Sequence, residues 1–312
     1  MSKKLYIITN NVSSIFVICG FDFNFKVEYN IKKYKEYYMA PESGKIAVIS
    51  SNPLNGFAAQ LLWSMQEASL DSEYDLEIYY IRAATKKGGS EYLYEKIAAE
   101  KHVKAVVVIA YPVPEKFINM FRAADIALVL IDTAYPGVWS VNTKNEKGAY
   151  EAVKYLIESG SKRIGLITGE ALSGSIAERL AGYKKSLEEK GRAYDESLVW
   201  TIKQFNYNSG KEAFRFMLAS NVDAVFCAAG DYVAHGFLNE ARKQHVDVPG
   251  NISLVGFDDI EMSADTGLTT VKQPLNEMGK EAFRMALAAI KDPKALPEKK
   301  IFENTLVKRE TA

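Results

Sequence analysis

Arg179 and Asp258 are the charged side chains best placed by the sequence to do chemistry. Asp258 ends the hydrophobic run Leu254 to Phe257, so its carboxylate should emerge at the carboxyl end of a strand, open to hydrogen-bond donors. Asp259 should face the other way, because successive side chains of an extended segment alternate, and a turn or helix cap is its expected role. Adjacent carboxylates also argue against a glycosidase, whose pair must flank the scissile bond roughly 5 to 9.5 Å apart. Arg179 follows the strand-like run Arg163 to Thr168 and the small-residue loop Ser173-Gly174-Ser175. Near a helix start its charge opposes the helix dipole. A guanidinium offers five fixed donors, and a charge-assisted bond from it contributes roughly 1.5 to 3 kcal/mol, which suits it to gripping a ligand.

Catalytic machinery cannot be assembled from the remaining residues. There is no GxxxxGKS/T phosphate loop, no GxGxxG after a strand and no GxSxG, and His102, His235 and His245 lack metal-ligand spacing. No catalytic residue, metal or cofactor is therefore expected. Cys19 and Cys227 lie in apolar runs without a CxxC pattern, as expected of two buried thiols in a reducing cytoplasm.

The elements that must position Arg179 and Asp258 alternate along the chain. Apolar strand-like runs occur at Lys45 to Ser51, Leu76 to Ile81, Ala105 to Ala110 and Ala127 to Asp132, with amphipathic segments between them. The pattern repeats with helix Glu146 to Ser159, strand Arg163 to Thr168, helix Ile176 to Lys190, a strand around Val199, helix Asn208 to Ala219, strand Ala224 to Ala228, helix Tyr232 to Gln244 and strand Ser253 to Phe257. A helix from Asn276 to Ile290 and a strand from Lys300 to Val307 follow. Strands of near-continuous hydrophobicity belong to parallel sheets covered on both faces. With 312 residues, 48% of them hydrophobic, the chain exceeds what one core usually fills, so two doubly wound α/β lobes are expected. Open sheets of this kind bind ligands beyond the carboxyl ends of their strands.

Thirty-nine basic and 39 acidic residues cancel, so the chain lacks the positive field of a typical nucleic-acid binder. The N-terminal Lys3-Lys4 and Leu5 to Ile8 make a poor export signal, because Thr9-Asn10-Asn11 interrupts the hydrophobic stretch. No run approaches the ~20 apolar residues that a membrane span requires.

Four motifs in one order, GSIAERLAGY, DAVFCAAGD, VPGNISLVGFDD and LTTVKQP, resemble the regulatory domain of the lactose-repressor (LacI/GalR) family, a two-lobed sensor related to periplasmic sugar-binding proteins. The resemblance implies three crossings between lobes, the late helix returning to the first lobe and the last strand to the second. It implies a small-molecule effector, a sugar or sugar derivative, in the interlobe cleft, with Arg179 gripping its hydroxyls or a carboxylate and Asp258 accepting from its hydroxyls. In the first lobe it points to Asn52 and Phe57, in Ser51-Asn52-Pro53-Leu54-Asn55-Gly56-Phe57, and Asp132 ends a strand in the same lobe. Tyr111 and Phe205 offer aromatic faces to a sugar ring. Gly230 stands where sugar-binding relatives have an asparagine, with Asp231 as the expected N-cap of the next helix, and Lys144-Asn145 replaces an Asp-Asn pair, a hint of an anionic ligand. Side-by-side homodimerisation through stripes such as Leu61, Leu62 and Met65 is also implied.

The expected division is residues 45–145 with 275–291 as the first lobe and 146–274 with 292–312 as the second. Residues 1–44 form a separate β appendage in this reading, because Phe21, Phe23, Phe25, Val27, Tyr29 and Ile31 alternate strictly with polar residues. That pattern does not fit a helix-turn-helix, so specific DNA binding by this chain is doubtful. A cytoplasmic, non-enzymatic ligand sensor of the lactose-repressor type, a transcriptional regulator whose DNA-binding domain is absent or degenerate, is the expectation, and an exported solute-binding protein of a sugar transporter is the alternative.

Overall fold

The computed structural model describes residues 44–52, 55–81, 89–170 and 174–312. The chain divides into units Met1–Glu42 and Ser43–Ala312, and the account below concerns the second. The expected β appendage lies outside the described residues, apart from Gly44.

The first sheet contains β1 (Lys45–Ser50), β2 (Asp75–Tyr80), β3 (Val103–Ile109), β4 (Ala127–Ile131), β5 (Trp139–Thr143) and β11 (Lys299–Phe302), in the order β11-β5-β4-β3-β1-β2 and parallel throughout. Its helices are α1 (Gly56–Ser69), α2 (Gly89–Ala98), α3 (Glu115–Ala123) and α9 (Leu275–Lys291). The run in β3 is apolar on both faces for a visible reason. Ala105, Val107 and Ile109 pack with α1 and α9, while Val106 and Val108 pack with α2 and α3. From Ala105 to Ile109 no position faces water, so no polar alternation remains.

The second sheet contains β6 (Ile164–Gly169), β7 (Val199–Ile202), β8 (Ala224–Cys227), β9 (Ser253–Asp258), β10 (Thr269–Lys272) and β12 (Thr305–Val307), in the order β12-β10-β9-β8-β6-β7. Only β12 runs antiparallel. Helices α4 (Asn145–Glu158) and α5 (Gly174–Glu189) cover one face; α6 (Tyr207–Ala219) and α7 (Asp231–Lys243) cover the other. The short α8 (Glu261–Asp265) follows β9. Two lobes of doubly wound parallel sheet are therefore present, as the alternation predicts.

The chain crosses between lobes at three places: between Thr143 and α4, between Gln273 and α9, and between β11 and β12. The single expected strand from Lys300 to Val307 is in fact two. Lys299–Phe302 completes the first sheet beside β5, and only Thr305–Val307 joins the second, so the last lobe boundary falls at Glu303-Asn304 rather than at 292. Strands β5 and β10 have no counterpart in the sequence reading, because WSVNT and TTVK are short and carry polar residues.

Candidate functional site

The carboxyl ends of β4, β8, β9 and β10 and the start of α5 converge on Arg179. Only 4% exposed, Arg179 donates from Nε to Asn145 Oδ1 (2.9 Å) and from Nη1 to the Ala228 carbonyl (2.9 Å). Its guanidinium carbon lies 3.8 Å from the centroid of the Phe257 ring. These contacts aim Nη2 at two carboxylates, 3.9 Å from Asp132 Oδ2 in the first lobe and 3.9 Å from Asp258 Oδ1 in the second. Both separations exceed hydrogen-bonding reach.

Each carboxylate is held by an unusual backbone. Asp132 and Asp258 adopt φ of +57° and +120°, in the region that side-chain-bearing residues rarely occupy. Ala110, at the end of β3, has φ of +47°. Such conformations cost of order 1–3 kcal/mol each and concentrate at functional sites. Gln273 Nε2 donates to Asp258 Oδ1 at 2.8 Å, whereas Asp132 Oδ1 is buried without a hydrogen-bond partner among the described residues.

Burial pushes both carboxyls above their ordinary values and outweighs Arg179, which pulls them down. Asp231, fully buried beside Asp258, is also pushed up, first by burial and then by the Asp258 charge. One guanidinium thus faces two aspartates with a third close behind. Lys144 adds nothing to this balance: it is half exposed and pairs, with Lys147, to Glu303 outside the cleft. The expected hint of an anionic ligand loses that support.

Several expectations are corrected here. Asp231 is the first residue of α7, not its cap; Gly230 caps the helix without a side-chain bond. The Asp231 carboxylate instead accepts from Thr270 Oγ1 (2.7 Å), Ser263 Oγ (2.7 Å), Asp259 N (2.9 Å) and Ile260 N (3.3 Å), fixing the loop that carries Asp258. Asp259 does point away from Asp258's partners, yet it caps no helix and lies 2.7 Å from Arg309 Nη2. Leu61 and Met65 are buried in the core of the first lobe against α9, and Leu62 packs beside them, so they cannot form an exposed stripe. Exposed large apolar residues described in that lobe include Trp63, Leu70, Ile78, Tyr80, Tyr92 and Ile301.

Of the seven residues singled out by sequence, the structure brings Arg179, Asp132 and Asp258 together. Asn52 follows β1, Tyr111 follows β3 and Phe205 follows β7, each at the carboxyl end of its strand. The Phe205 ring covers Gly169 so closely that a Cβ there would collide with it. Phe57, 9% exposed, belongs to the core layer of α1 and α9. Sequence reasoning missed the roles of Asn145, Phe257 and Gln273, although all three lie inside or beside motifs it singled out.

Among the described residues no group of His, Cys, Asp and Glu has metal-binding geometry, and no described helix is long and apolar enough to cross a membrane.

Comparison with known proteins agrees with this architecture. Residues 153–312 match the family model described as a periplasmic binding protein-like domain. The chain is 32% identical over 219 residues to the HTH-type transcriptional repressor PurR of Vibrio atlanticus, covering 67% of this chain and 64% of that protein. It is 32% identical over 239 residues to the HTH-type transcriptional regulator CelR of Thermobifida fusca, covering 73% and 69%. The solved structure of a transcriptional regulator CelR–cellobiose complex superposes with a TM-score of 0.77 at 26% identity, covering 90% of this chain and 89% of that one. On the fold, the motifs and these matches, the chain belongs to the LacI/GalR family of regulators and carries its periplasmic-binding-protein-like domain.

Proposed function

We propose that this chain is a cytoplasmic ligand sensor of transcription, and that a neutral sugar or sugar derivative binds between its lobes. The observation that carries this reading is the placement of Arg179 Nη2 at 3.9 Å from one carboxylate of each lobe. A polyol hydroxyl both donates and accepts, so it can accept from Arg179 while donating to Asp132 or Asp258. The unpartnered Asp132 Oδ1 is a ready acceptor for such a group. A phosphate or carboxylate would instead meet two buried acidic side chains, a like-charge arrangement that costs several kcal/mol. Asn52, Tyr111 and Phe205 line the strand ends around the trio in this proposal, and Phe57 supports Asn52 from the core.

The matched relatives bear the names of repressors and regulators, and the solved neighbour holds cellobiose, which favours binding over catalysis. A homodimer formed through the exposed face of α1 and β2 belongs to the same proposal: Trp63 is 68% and Ile78 and Tyr80 each 53% exposed, beside an edge strand.

The experiment is a thermal-shift screen with D-ribose, D-galactose, cellobiose and ribose 5-phosphate. A neutral sugar at a hundred times its dissociation constant adds about 2.7 kcal/mol of stability. Stabilisation by the phosphate alone would overturn the neutral-ligand reading.

A further inference from the structure

We propose that Gln273 ties the cleft carboxylate Asp258 to the hinge and so sets the angle between the lobes. Gln273 is 2% exposed and stands where the second crossing leaves β10. Its carboxamide is bonded at both ends. Nε2 donates to Asp258 Oδ1 at 2.8 Å, and Oε1 accepts from Thr143 Oγ1 at 2.9 Å. Thr143 is the last residue of β5, where the first crossing begins, and its hydroxyl accepts from Asn304 Nδ2 at 3.2 Å. Asn304 lies in the third crossing, between β11 and β12. One polarised row, Asn304 to Thr143 to Gln273 to Asp258, therefore touches every strand that joins the two lobes and ends on a group facing Arg179.

The donor directions make the row specific. Thr143 can give its single proton to Gln273 only while its lone pairs face Asn304, and Gln273 can serve both neighbours in only one flip of its amide. Buried polar rows of this kind are costly when half-satisfied, so they favour one arrangement over a continuum. A change of lobe angle must move Thr143 relative to Gln273, because Thr143 ends a strand of the first sheet and Gln273 directly follows one of the second. Moving them breaks the row or drags the Asp258 carboxylate with it. Gln273 is thus a positioning residue: it holds Asp258 Oδ1, the oxygen that faces Arg179 Nη2, and it reports the position of Asp258 to the hinge. The inference rests on reading Asp258 as a ligand-facing carboxylate, but its mechanical half does not require any particular sugar.

The test measures the interlobe distance distribution by double electron–electron resonance on the full chain, with spin labels at Glu95→Cys on α2 and Glu212→Cys on α6 in a Cys19→Ser background. Cys227 is buried and is left in place. Gln273→Leu, Thr143→Val and their combination are compared at matched far-ultraviolet circular dichroism. Each single variant is expected to broaden the distribution and shift it to longer distance, and the combination to shift it no further than either alone, since both break one row. Asn304→Ala is expected to move it in the same direction. An unchanged distribution in folded Gln273→Leu, or additive shifts in the double variant, would overturn the proposal. Repeating the measurement with cellobiose separates the two readings. If cellobiose changes nothing in the wild type, cellobiose is not the ligand, while the ligand-free shift still decides the role of Gln273. If cellobiose narrows the wild-type distribution, the same narrowing in Gln273→Leu would remove Gln273 from the coupling.

Discussion

Arg179, carried by the second lobe, brings its Nη2 to 3.9 Å from Asp132 of the first lobe, and both side chains are nearly inaccessible to solvent. An ion pair that spans a cleft ties affinity to closure, because it forms only when the lobes approach.

Arg179→Ala should abolish sugar binding and lower stability by about 3–5 kcal/mol at neutral pH, the usual cost of leaving buried charges without their partner. The loss should shrink in acid, where Asp132 and Asp258 take up protons and no longer need a cation. Arg179→Lys should not rescue binding, since an ammonium cannot bond Asn145 and Ala228 while facing both carboxylates. Urea unfolding at several pH values, with calorimetric titration of the active sugar, checks all three points.

Asp258 should make a pH-dependent contribution of opposite sign to that of a salt-bridged surface aspartate. Burial raises its folded pKa, so the native state holds this proton to higher pH than the unfolded chain. Stability from this group is then greatest at low pH and falls as pH climbs from the ordinary carboxylate value of about 4 toward neutrality. Comparing wild type with Asp258→Asn isolates the effect. The advantage of wild type over the variant should decline across that interval, and a rising difference would contradict the assignment.

Asp231→Ala should be more damaging than its distance from any ligand suggests. It removes the acceptor for two backbone amides and two hydroxyls, each left with a desolvation penalty of about 1–3 kcal/mol unless water enters. The melting temperature should drop sharply, and sugar affinity with it, because the loop after β9 loses its anchor. Asp231→Asn, which keeps one oxygen, should fall between.

Leu61→Ala and Ile78→Ser separate packing from assembly. Leu61 is buried against α9, so its truncation should cost about 2–5 kcal/mol without changing oligomeric state. Ile78 is exposed on the edge strand β2, so Ile78→Ser should leave the fold intact and shift the sedimentation coefficient toward monomer.

The lobes were legible because their strands are apolar on both faces, as in AVVVIA and ALVLID, and this follows from a sheet covered twice. Asp132 and Asp258 were legible because each ends an apolar run, and Arg179 because the motif GSIAERLAGY around it resembles that of the lactose-repressor family. What remained hidden depends on partners far apart in sequence. Nothing in WSVNT announces a central strand, since its neighbours β4 and β11 supply the setting. Asp231 looked like a helix cap because its local sequence suits one, but its bonds run to residues 28 to 39 positions away. The stripe of Leu61 and Met65 is apolar whether it meets a twin subunit or α9, and periodicity alone does not distinguish those partners.

The three crossings bear on how the protein emerges from the ribosome. Residues 45–143 leave the exit tunnel ahead of the second lobe, yet their core lacks Met278, Phe283 and Met285 of α9 until all of the second lobe except β12 has been synthesised. The second lobe in turn lacks β12 until the last few residues. Neither half can finish before the other is nearly made, so a nascent chain stalled before Leu275 should expose apolar surface and recruit chaperones despite containing most of both sheets.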